Sequence, residues 1–84
     1  MPIETVAAEL RHDDRLVARG VCHLVVRHRP EGGTISQMNW TDSEPDLTDA
    51  VVMLRLADGR TFAARITRHS HPEGTTVLRF RVMA

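Results

Sequence analysis

The residues of this chain with the most chemical scope are its histidines. There are five among 84 residues, and His69 and His71 stand two apart in the run Arg68-His69-Ser70-His71-Pro72. On an extended segment that spacing turns both imidazoles to one side, an arrangement met in metal sites. Zinc, however, takes three or four ligands that converge from separate elements. His23, His28 and Cys22 could complete such a set only if the fold gathered them, and no Cys-x-x-Cys or His-Glu-x-x-His pattern supports that. RHSHP is therefore expected to be a polar strand end running into a turn, with no metal site and no cofactor.

Other catalytic chemistry finds less support. The single cysteine, Cys22, sits in the most apolar stretch, VCHLVV, where a free thiol is normally a small buried hydrophobe. His23 points to the opposite strand face, so the adjacent pair cannot act as a thiolate–imidazolium couple. The acidic run Asp42, Glu44, Asp46 and Asp49 resembles the start of a calcium loop, but Leu47 replaces the sixth-position glycine and Met53 the closing glutamate. It reads as a solvated polar connection. Gly32-Gly33 matches no phosphate-cradling motif. The chain is expected to be non-enzymatic.

Charge offers a different lead. Eleven basic residues balance eleven acidic ones, and every basic residue is an arginine. Zero net charge argues against a whole-molecule polyanion binder. The charges are nevertheless segregated: Asp13, Asp14, Glu31, Asp42, Glu44, Asp46 and Asp49 fall in turns, while Arg55, Arg65, Arg79 and Arg81 fall on outward strand positions. In register on neighbouring strands, such arginines would form a basic stripe suited to an acidic protein surface or a nucleic-acid backbone. Against nucleic acid stands the lack of a stacking platform. Phe62 and Phe80 alternate with the core, and only Trp40 remains to stack on bases.

The elements that must position these residues read as β throughout. Turn signals recur at HDDR (12–15), PEGG (30–33), TDSEPD (41–46), ADGR (57–60) and HPEG (71–74), with β-branched runs between them. Val52, Leu54 and Leu56, then Phe62, Ala64 and Ile66, alternate about Asp58-Gly59, which predicts a hairpin with a type I′ turn. Leu78, Phe80 and Val82 continue the pattern. Leu16, Ala18, Cys22, Leu24 and Val26 share a face of an earlier strand, which Gly20 interrupts as a bulge or a close approach. PEGG is expected to close a longer loop into a strand over 34–41. Ser43, Pro45 and Asp46 suggest one helical turn near 43–49.

The N-terminus carries two patterns. Ile3, Val6, Ala7 and Leu10 make a helical stripe, while Val6, Ala8 and Leu10 alternate. A weak similarity between residues 13–21 and 58–66 favours the strand, and with it two meanders of three strands each. The expected fold is all-β: one small domain over 1–84, an antiparallel meander of five or six strands forming a barrel or two-layer sandwich. The last strand, with Val77 and Met83 on its outer face, is expected to be an open edge for dimerisation or strand addition.

One cysteine excludes an intramolecular disulfide framework. MPIETVAAEL lacks the pattern of a signal peptide, and no stretch approaches the about 20 apolar residues of a membrane span. A cytoplasmic location is expected. The function expected is a binding or assembly module working through protein–protein contacts, with a homodimer among its forms, through Arg55, Arg65, Arg79, Arg81, Val77 and Met83. The alternative is a small nucleic-acid- or nucleotide-binding barrel using the same arginines.

Overall fold

The structure is a computed structural model that describes residues 3–28 and 31–83, without the side chains of 26–28 and 31. Its strands are β1 (Ile3–His12), β2 (Arg15–His28), β3 (Glu31–Ser36), the short β4 (Asn39–Trp40), β5 (Val51–Leu56), β6 (Thr61–Ser70) and β7 (Val77–Val82). Two antiparallel meanders, β1-β2-β3 and β5-β6-β7, are joined by β1–β5 and β3–β7 pairing. Six strands thereby close into a barrel, with β4 added on β2.

Alternation assigns the interior. Ala8 and Leu10 of β1, Ala18, Cys22 and Leu24 of β2, Val52, Leu54 and Leu56 of β5, Ala64 and Ile66 of β6, and Leu78 and Phe80 of β7 are all buried. The two phenylalanines stack inside, with ring centroids 5.8 Å apart. The N-terminal segment is a strand, as the alternating pattern expects: a helix would bury one stripe, whereas β1 pairs along its length with β2. The face shared by Ala18, Cys22 and Leu24 runs unbroken through Gly20. That glycine keeps the register opposite Ala8 at a φ of +127°, with Asn39 closely against it. It is not a bulge, and what lies closest to it is the Asn39 side chain and not a second backbone. Val26 lies on a stretch whose side chains are outside the described ones.

The turns depart from expectation in three places. The β5–β6 hairpin has positive φ at Gly59 but not at Asp58, and Leu56 accepts from the Gly59 N–H while donating to the Arg60 carbonyl. This is a three-residue loop, Ala57-Asp58-Gly59, ending in a left-handed glycine, instead of a two-residue type I′ turn. The Asp58 carboxylate selects it by accepting the Arg60 N–H at 3.0 Å. Positive φ at both central residues occurs instead at Asp13-Asp14, between β1 and β2. Second, β3 begins at Glu31 and pairs Glu31 with His28, so Gly32 and Gly33 belong to the strand; Pro30 lies outside the described residues. Beyond Ser36, Gln37 takes a φ of +66°, and after it Met38 and Trp40 pack on the core from the parity opposite to Ile35.

Third, residues 43–49 form no helical turn. Asp46 accepts from both the N–H and the hydroxyl of Thr48, closing a local turn that competes with a helix. The 3-10 turn lies at Pro72–Gly74, between β6 and β7. The 41–50 segment is a strap across one barrel end, bonded to β6 through Asp49 N–H to Ile66 O and Ile66 N–H to Ala50 O. Leu47, in the middle of this polar strap, is fully buried and stops the barrel end. Leu47→Ala is expected to lower unfolding free energy by about 2–5 kcal/mol, measured by urea denaturation. That is a large share of the stability of so small a barrel.

Candidate functional site

One outer face of the barrel is built by β6 and β7. Val51, Arg65 and Arg81 stand opposite one another in a single row. Beyond Ile66 the register shifts by one residue. Thr67 is the extra residue of a β-bulge, its hydroxyl donating to the Arg79 carbonyl at 3.2 Å. Arg68 consequently stands opposite Arg79. The result is two directly opposed arginine pairs on neighbouring strands, all four side chains exposed.

Like charges placed directly opposite destabilise a sheet, and no carboxylate of a described side chain lies within 4.0 Å of these guanidiniums. The contrast is with Arg60, which bridges Asp58 at 2.7 Å and Glu4 at 2.5 Å. Among the described residues, Arg65 reaches only the backbone carbonyl of Asp49. Beside the arginines lie the exposed apolar side chains of Val51, Met53 and Met83, at 43%, 43% and 38% exposure, the last linked to Ala63 through its N–H.

Arg55 does not join this group. It stands opposite Glu9 on one side and Thr61 on the other, four residues along β5 from Val51 and so about 13 Å away. Arg68, which the alternating pattern alone assigns to the core side, takes its place. β7 is not an edge: it is hydrogen-bonded to β6 on one side and β3 on the other. Strand addition there is closed off. Val77 is half-buried between Ser36 and Ser70, and Met83 contributes as an exposed side chain alone.

The bulge has a second effect, at the barrel end. It turns His69 toward the interior, opposite buried Leu78, with its side chain 4% exposed. The ring stacks on Trp40, with centroids 5.9 Å apart and planes 16° from parallel. Trp40 is thus a partly buried neighbour of the core. His69 Nδ1 accepts the Leu47 N–H at 3.1 Å, which places the proton of a neutral ring on Nε2. That Nε2 lies 2.9 Å from Glu44 Oε2 and donates to it. His71 Nε2 meets the same oxygen, and Thr76 donates to Oε1 at 2.6 Å.

Burial pushes the Glu44 carboxyl up, but the hydrogen bonds from Thr76, His71 and His69 outweigh it and hold the group at about 2. Glu44, His69 and His71 together present three ligand-type atoms within 4.8 Å of one another. The expectation for RHSHP as a plain strand end, and for 42–49 as a solvated connection, misses this convergence. Its signal in the sequence is faint: an arginine at the inward parity after Ile66, which an unbroken strand could not bury.

The remaining candidates stay apart. Cys22 is buried and donates to the Val6 carbonyl at 3.3 Å, and burial, offset in part by a hydrogen bond, pushes its thiol up. Asp42 bonds its neighbour Ser43, and Asp46 bonds Thr48.

Comparison with known proteins finds no family, no curated protein and no solved structure that matches this chain.

The Glu44 contacts tie the strap to β6 and to the segment entering β7. Glu44→Gln is expected to cost about 1–2 kcal/mol, the range for a charged acceptor that keeps some solvent contact. It should also speed hydrogen exchange at the Leu47 amide more than at the amides of β1. Equal acceleration everywhere would show that the carboxylate does not hold the strap.

Proposed function

We propose that this protein is a binding module that docks an acidic protein surface on its Arg65–Arg81 and Arg68–Arg79 face. The observation that carries the reading is the direct opposition of these arginines without carboxylate partners among the described side chains. The arrangement opposes folding, and an acidic partner would relieve it. Arginine offers planar, bidentate recognition of carboxylates.

Met53, Met83 and Val51 supply apolar area beside the charge, and methionine and arginine are both enriched at protein interfaces. A second copy of the chain meets the description of such a partner, since Asp13 and Asp46 are strongly exposed at the barrel end. The alternative, a nucleic-acid-binding barrel, uses the same arginines. It is the weaker reading because both phenylalanines are inside and Trp40 is stacked on His69, leaving no aromatic platform on the arginine face.

The two readings separate by fluorescence anisotropy with a short glutamate-rich peptide carrying one leucine and a single-stranded oligonucleotide of equal charge. The peptide is expected to bind more tightly. The Arg65→Ala/Arg81→Ala variant should weaken it by roughly tenfold or more, as the loss of two charged contacts implies. Met53→Ser should weaken the peptide alone. Tighter oligonucleotide binding with steep salt dependence, indifferent to Met53→Ser, would reverse the assignment.

A further inference from the structure

The geometry points to the Glu44–His69–His71 cluster as a binding site for one divalent transition-metal ion of the zinc class. Two imidazoles and one carboxylate form a set that holds zinc with an open fourth position. Here the three donors come from two elements: a histidine pair two residues apart at the end of β6, and a glutamate on the strap. Both Nε2 atoms are directed at a single oxygen, Glu44 Oε2. The other carboxylate oxygen is already occupied by the Thr76 hydroxyl, which fixes the carboxylate as an outer-shell partner does. His69 is further held by its stacking on Trp40.

A clasp for the strap would be complete with His69 and Thr76. His71, half exposed, adds a third ligand-type atom on the solvent side. Beside it opens a cleft of about 300 Å³ bounded by Pro45, Asp46 and Thr48, where water or another small ligand can take the fourth position.

One proton must move. In the metal-free protein His69 carries its proton on Nε2, because Nδ1 accepts the Leu47 N–H. An ion at Nε2 needs that lone pair, so the proton passes to Nδ1, and the ring stays neutral. Nδ1–H then opposes Leu47 N–H and requires an acceptor. Asp46 Oδ1 stands 4.0 Å from Nδ1 and needs to approach by roughly 1 Å to accept it. Metal capture thereby exchanges an amide donor for a carboxylate acceptor, the usual outer-shell partner of a metal-bound histidine. The strap shifts with it.

The test is titration of the metal-free chain with Zn2+ by calorimetry at neutral pH, with 15N NMR of the histidine rings. One ion per chain is expected, with a raised melting temperature. Asp46→Asn should weaken binding about 10–100-fold, while Glu44→Gln and His71→Ala should each weaken it further than that. His23→Ala, which alters a histidine on β2 remote from the cluster, should leave binding unchanged. Because Glu44→Gln can loosen the strap by itself, the tautomer is the decisive readout: His69 passes from Nε2–H to Nδ1–H when zinc is added. Absence of stoichiometric binding, binding undiminished in Glu44→Gln and His71→Ala, or a His69 that keeps its Nε2 proton in the presence of bound zinc would overturn the assignment.

Discussion

The extra residue Thr67 on β6 is the constraint from which both surface features of this barrel descend. Up to Ile66 the strand alternates in register with β7, and Arg65 faces Arg81. An unbroken strand would then turn Arg68 and Ser70 inward and His69 outward. Inserting one residue reverses the parity. Arg68 moves out to oppose Arg79, and His69 moves in to lie against Trp40 and Leu78. The bulge is held in place by the Thr67 hydroxyl on the Arg79 carbonyl. Bulges next to working surfaces re-aim side chains in this way.

The two features differ in how their charge is treated. At the barrel end every polar contact of Glu44 is answered: two imidazoles and one hydroxyl meet one carboxylate. The strap that carries Glu44 also places Leu47 in the core, so the polar cluster and the apolar plug stabilise the same segment. On the β6–β7 face the charge is left unanswered among the described side chains. Closure of the barrel leaves β7 no free edge, so the docking proposed for it falls to its outer face. With β7 paired on both sides, its side chains are what a partner can reach.

Much of the fold was legible because period-2 alternation is a direct image of a closed sheet with one wet face. Val52, Leu54 and Leu56, and Leu78 and Phe80, could be assigned to the core without knowing their partners. Two three-stranded meanders followed once the likeness of residues 13–21 to 58–66 favoured a strand at the N-terminus. What alternation cannot carry is register between strands distant in sequence. Even within the β5–β6 hairpin it placed Arg55 with Arg65, although pairing sets Arg55 against Thr61 and Arg65 against Val51. It also made β7 an edge, because the β3–β7 pairing joins residues 41 to 49 positions apart and leaves no local mark. The hairpin at Asp58-Gly59 was legible as a hairpin but not in its loop length, since the Asp58 side chain favours the longer turn. The Glu44 cluster was the least visible. Glu44 lies 25 residues before His69 and 27 before His71, and Leu47, the fully buried residue of the strap, looks like an irregularity in an acidic loop.

Thr67 sets Arg68 against Arg79, and no carboxylate among the described side chains compensates the charge. A double-mutant cycle of Arg68→Ala and Arg79→Ala, followed by urea unfolding at low and high salt, tests this most directly. A repulsive coupling of roughly 0.2–1 kcal/mol is expected at low salt, shrinking as salt screens it. A coupling of zero or of the opposite sign at low salt would contradict both the register and the unpaired charge.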